Sequence, residues 1–292
     1  MAQLARQALD GLMFPESPRW HAGHGAFFFS DIDRGEVHRW RPGEASRCLY
    51  RHTGMVSGLA FESAQHLLVC AAHDCTLLRL TLGPEPTAEV AVDFAPVRGW
   101  GINDMVRAAD GTCYVNSVDF DFLRAQRGEV ERSRSRLLMA RPDGSVGVAS
   151  DEMFFPNGMA ITPDGRALVV ADSRDHCVGT FAIGEGGRLG PRHVVAHFPG
   201  ELPDGLCLDA EGAVWVANHG RVVRLRLDGT LLDEVTTGEA LATACALGGE
   251  DGRTLLITTS DAIDRAVMRQ RPSGRLFTAR VEVPGAGLPS VY

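Results

Sequence analysis

Short apolar runs bounded by turn residues follow one another along the whole chain, for example Ala26-Phe27-Phe28-Phe29, Leu67-Leu68-Val69-Cys70-Ala71, Ala167-Leu168-Val169-Val170-Ala171 and Ala213-Val214-Trp215-Val216-Ala217. Runs of this length and composition predict strands buried on both faces. Alternating stretches such as Glu36-Val37-His38-Arg39-Trp40 predict strands with one wetter face. No stretch carries a convincing amphipathic helical period. Residues 4–12 predict a short strand or an irregular lead-in.

A second pattern lies over the first. Asn157-Gly158-Met159-Ala160-Ile161-Thr162-Pro163-Asp164-Gly165 places a polar residue before a small apolar run and then a turn, and Asp204-Gly205-Leu206-Cys207-Leu208-Asp209-Ala210-Glu211-Gly212 repeats it almost position for position. Asn103-Asp104-Met105-Val106 is a third copy, with Asp104 in the glycine's place, and fainter copies begin at Glu16, Ser57 and Thr243. The leads at 16, 57, 103, 157, 204 and 243 are spaced by about 40 to 50 residues, the length of a propeller blade. Six copies of a three- or four-stranded unit predict an all-β fold, a six-bladed β-propeller with a central channel, with residues 1–292 as one domain. The N-terminal segment is expected to complete the last blade, since closure removes exposed sheet edges. Residues 119–135, mostly polar, interrupt the third repeat and predict an inserted loop.

In a propeller the innermost strand of every blade lines the channel, so the six leads meet in one ring: Glu16, Ser57, Asn103, Asn157, Asp204 and Thr243. Polar groups buried together need partners. Two carboxylates, two amides and two hydroxyls, with no His or Cys, suit a hard cation held by Glu16, Asp204 and Asn157. A hydrogen-bonded, water-filled tunnel is the competing reading of the same ring.

Composition narrows the rest. Among 292 residues, 45% are hydrophobic and 23% charged, as in ordinary folded domains, and the net charge of −8 gives no footprint for nucleic acid or an anionic membrane surface. The basic cluster of residues 124–136 is broken by Glu129 and Glu131 and predicts a solvated loop. The seven cysteines are scattered without Cys-x-x-Cys spacing and predict reduced core thiols, not a disulfide framework. With neither a signal-like apolar segment nor a membrane-length run, a cytoplasmic location is expected. The pattern sets no oligomeric state.

The segments Pro15-Glu16-Ser17-Pro18-Arg19-Trp20, Gly101-Ile102-Asn103-Asp104-Met105-Val106, Phe155-Pro156-Asn157-Gly158-Met159-Ala160 and Leu202-Pro203-Asp204-Gly205-Leu206-Cys207-Leu208-Asp209 together resemble the senescence marker protein (regucalcin)/gluconolactonase/luciferin-regenerating enzyme family, over essentially the whole chain. The resemblance implies a six-bladed propeller with one divalent ion (Ca, Zn, Mg, Mn or Fe(II)) held by Glu16, Asn157 and Asp204. It places the substrate-contacting Asn on Asn103 and the Asp that follows it on Asp104. The activity it implies is mostly sugar-lactone hydrolysis, with relatives that cleave organophosphates. One departure stands out: the sugar-binding Arg expected two residues before Asn103 is Gly101 here, beside Trp100. That loss of five donors weakens recognition of a hydroxyl-rich ring, whereas Trp100, Phe120 and Phe154 offer apolar contact to a less polar lactone.

The expected chemistry is metal-assisted hydrolysis of a small-molecule lactone or cyclic ester, with Asp204 as the base, Asp104 in reserve and Asn103 orienting the carbonyl. His73, Asp119, Asp121, Asp172 and His219 follow strands at the expected channel mouth and are pocket candidates, with Trp100, Asp121, His73 and His219 assigned to substrate binding. Two other readings stay open on the sequence: another hydrolytic or lyase activity on the same metal site, such as phosphotriester cleavage, and a calcium-binding propeller without catalysis. No Gly-x-Ser-x-Gly elbow supports a serine nucleophile.

Overall fold

The apolar runs pair as antiparallel strands, and because successive side chains point to opposite faces, each run serves two interfaces at once. In Phe27-Phe28-Phe29 the outer two residues pack with Leu256 and Leu276, whereas Phe28 packs with Leu59 and Phe61. The computed structural model describes residues 3–262, 267 and 270–287 and arranges the strands as six small sheets around an axis, a six-bladed β-propeller. The first blade comprises Pro15–His21, Ala26–Asp31, Glu36–Trp40 and Arg47–Arg51, from the channel outward. The inner strands of the other five are Val56–Phe61, Gly101–Arg107, Pro156–Ile161, Pro203–Leu208 and Leu241–Gly248. Every predicted lead therefore falls near the start of an inner strand.

The core is divided among the blade interfaces. One apolar cluster fills the space between each neighbouring pair: Phe28 with Leu59 between blades one and two, Leu68 with Met105 between two and three, Tyr114 with Met159 between three and four. Val169 with Leu206, Trp215 with Ile257, and Leu256 with Phe27 continue the ring back to its start. Arg6–Leu12 pairs antiparallel with Gly274–Arg280 as the outermost strand of the sixth blade, so the N-terminal segment closes the circle as expected. Gln3–Leu4 adds parallel to Leu231–Thr236 of the fifth blade, a pairing that the sequence pattern does not announce.

The insertion in the third blade is more ordered than its polar composition suggests. Asp121 accepts a hydrogen bond from the Arg124 N–H and starts a short helix, Phe122–Gln126. Phe120, Phe122 and Ala125 pack with Phe155 and Trp100, so the insertion has a small apolar core of its own. The cysteines are all free, with only Cys48 exposed. Among the described residues no helix is long and apolar enough to cross a membrane.

Candidate active site and metal centre

A β-bulge turns each lead residue inward. In all six blades the register between the inner strand and its neighbour slips at the lead: Glu16/Arg19, Val56/Leu59, Ile102/Met105, Pro156/Met159, Pro203/Leu206 and Ala242/Ala244. One extra residue on the inner strand breaks the alternation there and re-aims a side chain that would otherwise point into a blade interface. The glycines after three leads show the closeness of the packing that results. A Cβ at Gly158 would lie 2.5 Å from the Gly205 backbone, one at Gly205 2.2 Å from the Ala244 Cβ, and one at Gly58 2.7 Å from the Met105 N.

Glu16, Ser57, Asn103, Asn157, Asp204 and Thr243 all line one cavity of about 450 Å³, which draws on all six blades. The Glu16 carboxylate accepts the Ser17 N–H at 2.9 Å. The Asn103 amide donates to Asn157 Oδ1 at 3.2 Å, and Asn157 donates in turn to Ser173 Oγ. Asp204 Oδ1 is buried without a hydrogen-bond partner. Burial raises the Asp204 pKa far above the usual carboxylate range, and the negative charges of Glu16 and Asp104 add to the effect. Glu16 is raised too, by burial first and by Asp104 next, against the Ser17 N–H and Arg19, which lower it. The buried Glu16 and the half-buried Asp204, whose Oδ1 is sealed from solvent and orphaned, fit a hard divalent cation with neutral amide oxygens beside them, the cation's charge offsetting theirs.

Asp104 has a different fate. It is buried outside the cavity lining, paired with Arg19 at 3.0 Å, and accepts hydrogen bonds from Ser17 Oγ and the Met105 N–H. All three donors meet Asp104 at Oδ1, and the carboxylate lies behind the ring, not in the cavity wall with Asp204. Asp121 caps its helix and Asp172 accepts the Phe154 and Phe155 N–H groups; neither lines the cavity. Asp31 holds the Met13 and Phe14 N–H groups in the same way, so Asp31 and Asp172 fasten the segments that lead into two inner strands. Asp119 is bound by Arg136, and the Arg134 guanidinium lies over the Phe154 ring, so neither residue reaches the cavity wall.

His73, Trp100 and His219 do line the cavity, with the His73 and Trp100 rings edge to face at 4.5 Å. Gly101 lines it as well, and a Cβ there would come 3.2 Å from the Ala72 carbonyl oxygen. The walls are otherwise mostly apolar, with Phe14, Met55, Phe120, Phe122, Phe155 and Leu241. Arg132 and Arg174 complete the lining that sequence reasoning missed. The signal for Arg174 was present: Ala71 and Asp172 both pair with the residue before the lead, so Arg174 occupies the register position of His73 in its blade.

A family model described as the SMP-30/gluconolactonase/LRE-like region matches residues 14–261. The chain belongs to this family. Within it, a 6-deoxy-6-sulfogluconolactonase of Pseudomonas putida is 29% identical over 94% of this chain and 93% of its own length. The regucalcin of Gallus gallus is 31% identical, covering 97% of this chain and 94% of its own. Among solved structures, a gluconolactonase of Xanthomonas campestris superposes with a TM-score of 0.78 at 25% identity, over 97% of this chain and 91% of that one.

A second donor group lies on the first blade, away from the cavity lining. Glu36, His38 and Cys48, on adjacent strands of the first blade, bring one potential ligand atom each within 4.8 Å of one another, a set that could coordinate a divalent ion. In the structure His38 Nε2 is 2.8 Å from Glu36 Oε2, and Arg51 is paired with the other Glu36 oxygen.

Proposed function

We propose that the protein is a divalent-metal-dependent hydrolase that opens a lactone or related cyclic ester in the propeller channel. The observation that carries this reading is the pair of carboxylates, Glu16 and Asp204, the latter with a buried, unpartnered oxygen, set in the wall of a largely apolar cavity. The family relationship supports it, because relatives that span nearly the whole chain bear lactonase names.

Glu16, Asn157 and Asp204 would hold the ion; a bound divalent cation polarises a carbonyl oxygen and lowers the pKa of water. The oxygen donor set suits Ca, Mg, Mn, Fe(II) or Zn. The rest falls to the protein. The Asn103 amide uses one N–H on Asn157 and has the other for the lactone carbonyl oxygen as negative charge develops there. Asp204, with a free carboxylate oxygen, takes the proton of the attacking water and returns it to the ring oxygen when the C–O bond breaks. The aromatic walls exclude bulk water, which strengthens these polar contacts.

The test is Asp204→Asn, assayed after chelator treatment and metal reconstitution on a panel of lactones and one phosphotriester. Metal content and lactone turnover are expected to fall together, turnover by about a hundredfold or more. Full metal content in the variant would remove Asp204 from the ligand set. Wild-type turnover of the phosphotriester alone would assign the site to that chemistry, and a metal-loaded wild type inert to every substrate would favour the binding propeller.

A further inference from the structure

Two arginines line the cavity, Arg132 and Arg174, and among the described residues neither forms an ion pair. The Arg174 guanidinium sits 5.8 Å from the Phe120 ring centroid, and its Nη1 is buried without a hydrogen-bond partner. Arg132, carried by the insertion, lines the same cavity. The two are close: burial first, and then the charge of Arg132, lower the Arg174 pKa from its ordinary value, against Asp172, which raises it. Nearby carboxylates are already engaged. Asp172 holds two backbone N–H groups and Arg192, Asp175 is paired with Arg192, and Glu129 is shared by Arg124 and Arg127. Asp33, the other acid of the lining besides Glu16 and Asp204, has a contact of its own.

Like charges drawn together against an apolar wall, one with an unused buried donor, are costly unless an anion completes them. Planar guanidinium groups are suited to the paired oxygens of a carboxylate or sulfonate. One divalent ion balances Glu16 and Asp204, which leaves the arginine charge for a ligand. The opposite requirement, donors for a polyhydroxylated ring, is poorly met where Gly101 stands beside Trp100 and the walls are phenyl and aliphatic groups.

We propose that Arg132 and Arg174 form an anion subsite that takes the carboxylate or sulfonate arm of the substrate, so that the lactone is an anionic molecule with an apolar or aromatic body. The substrate class rests on the lactonase reading above; the subsite itself does not. The arm would reach the insertion side of the cavity while the ring lies against the polar leads.

Initial rates on a γ-(4-carboxyphenyl)-γ-butyrolactone and on its γ-phenyl counterpart test this, alongside calorimetric titration of benzoate and benzenesulfonate into the metal-loaded protein. The expected kcat/KM ratio favours the acid by about tenfold at low ionic strength, carried mainly by KM, and shrinks as salt rises. Arg174→Met brings the ratio to about 1, Arg174→Lys keeps part of it, and Arg132→Met lowers it less, because Arg132 is the more exposed. Binding of benzoate or benzenesulfonate is lost in Arg174→Met, with unchanged Tm as the folding control; which of the two binds more tightly identifies the arm. Equal rates on both lactones with no binding of either anion overturn the subsite and leave the lactonase reading standing. Anion binding that depends on Arg174, with neither lactone hydrolysed, overturns the lactonase reading and leaves the subsite.

Discussion

Asp204 and Asp104 are both acids of the same repeated segment, yet they belong to two layers of the channel built on opposite principles. Asp204 is at the lead position of its strand, in the ring, with an oxygen that nothing in the protein satisfies. Asp104 is one step past the lead and is ion-paired in a network with Arg19, Ser17 and the Met105 N–H. In this layer the charge is paired within the protein, and Asp104 Oδ1 gathers three donors. The ring is left incomplete by the protein alone, which is what a binding site requires and what a folding unit avoids.

The largest expected effect follows from the ion-paired layer. Arg19→Met leaves the buried Asp104 carboxylate unpaired and should cost about 3–5 kcal/mol of stability, measured by denaturant unfolding. Protein that remains folded should still bind metal through the ring. A near-neutral result would show that the two layers do not differ as described.

The ring predicts the opposite sign. In chelator-treated protein, Asp204→Asn removes a carboxylate with an unpartnered oxygen from beside Glu16 and should raise stability by about 1–2 kcal/mol, read as a higher Tm, while abolishing the metal-induced rise in Tm expected of wild type. A lower Tm in the metal-free variant would mean that Asp204 makes a stabilising contact within the fold.

The smallest effect sharpens the comparison from the far end of the first inner strand. His21 is buried against Phe61 and Phe28, and its Nδ1 accepts the His24 N–H. Burial, then the neighbouring His24, hold its pKa down at about 4 from 6.5. The unfolded chain therefore binds the proton more readily in that interval, so stability falls as pH drops from about 6.5 towards 4. His21→Phe should flatten this part of the pH–stability profile without touching metal affinity. An unchanged profile would show that His21 does not carry the acid sensitivity.

The sequence by itself determined the repeat, and with it most of the site. Turn-bounded apolar runs buried on both faces allow few arrangements other than blades packed side by side, and a lead at the same register of every inner strand brings Glu16, Asn157 and Asp204 into one ring. That reasoning is local, because strand period and repeat spacing are properties of short segments. It was weakest where partners are distant. Whether Asp104 faces the substrate or Arg19 depends on a contact between residues 85 apart in the chain, and whether Asp172 lines the cavity or holds two N–H groups depends on a turn whose path the pattern does not describe. The insertion showed the same gap: Phe120 was legible as an apolar contact, but the polar composition hid Phe122 and Arg132, which line the cavity with it where Phe122 stacks on Phe155. Only the tertiary structure decided these, because burial and charge pairing belong to surfaces assembled from several blades, and no single segment carries the free energy that selects its own neighbours.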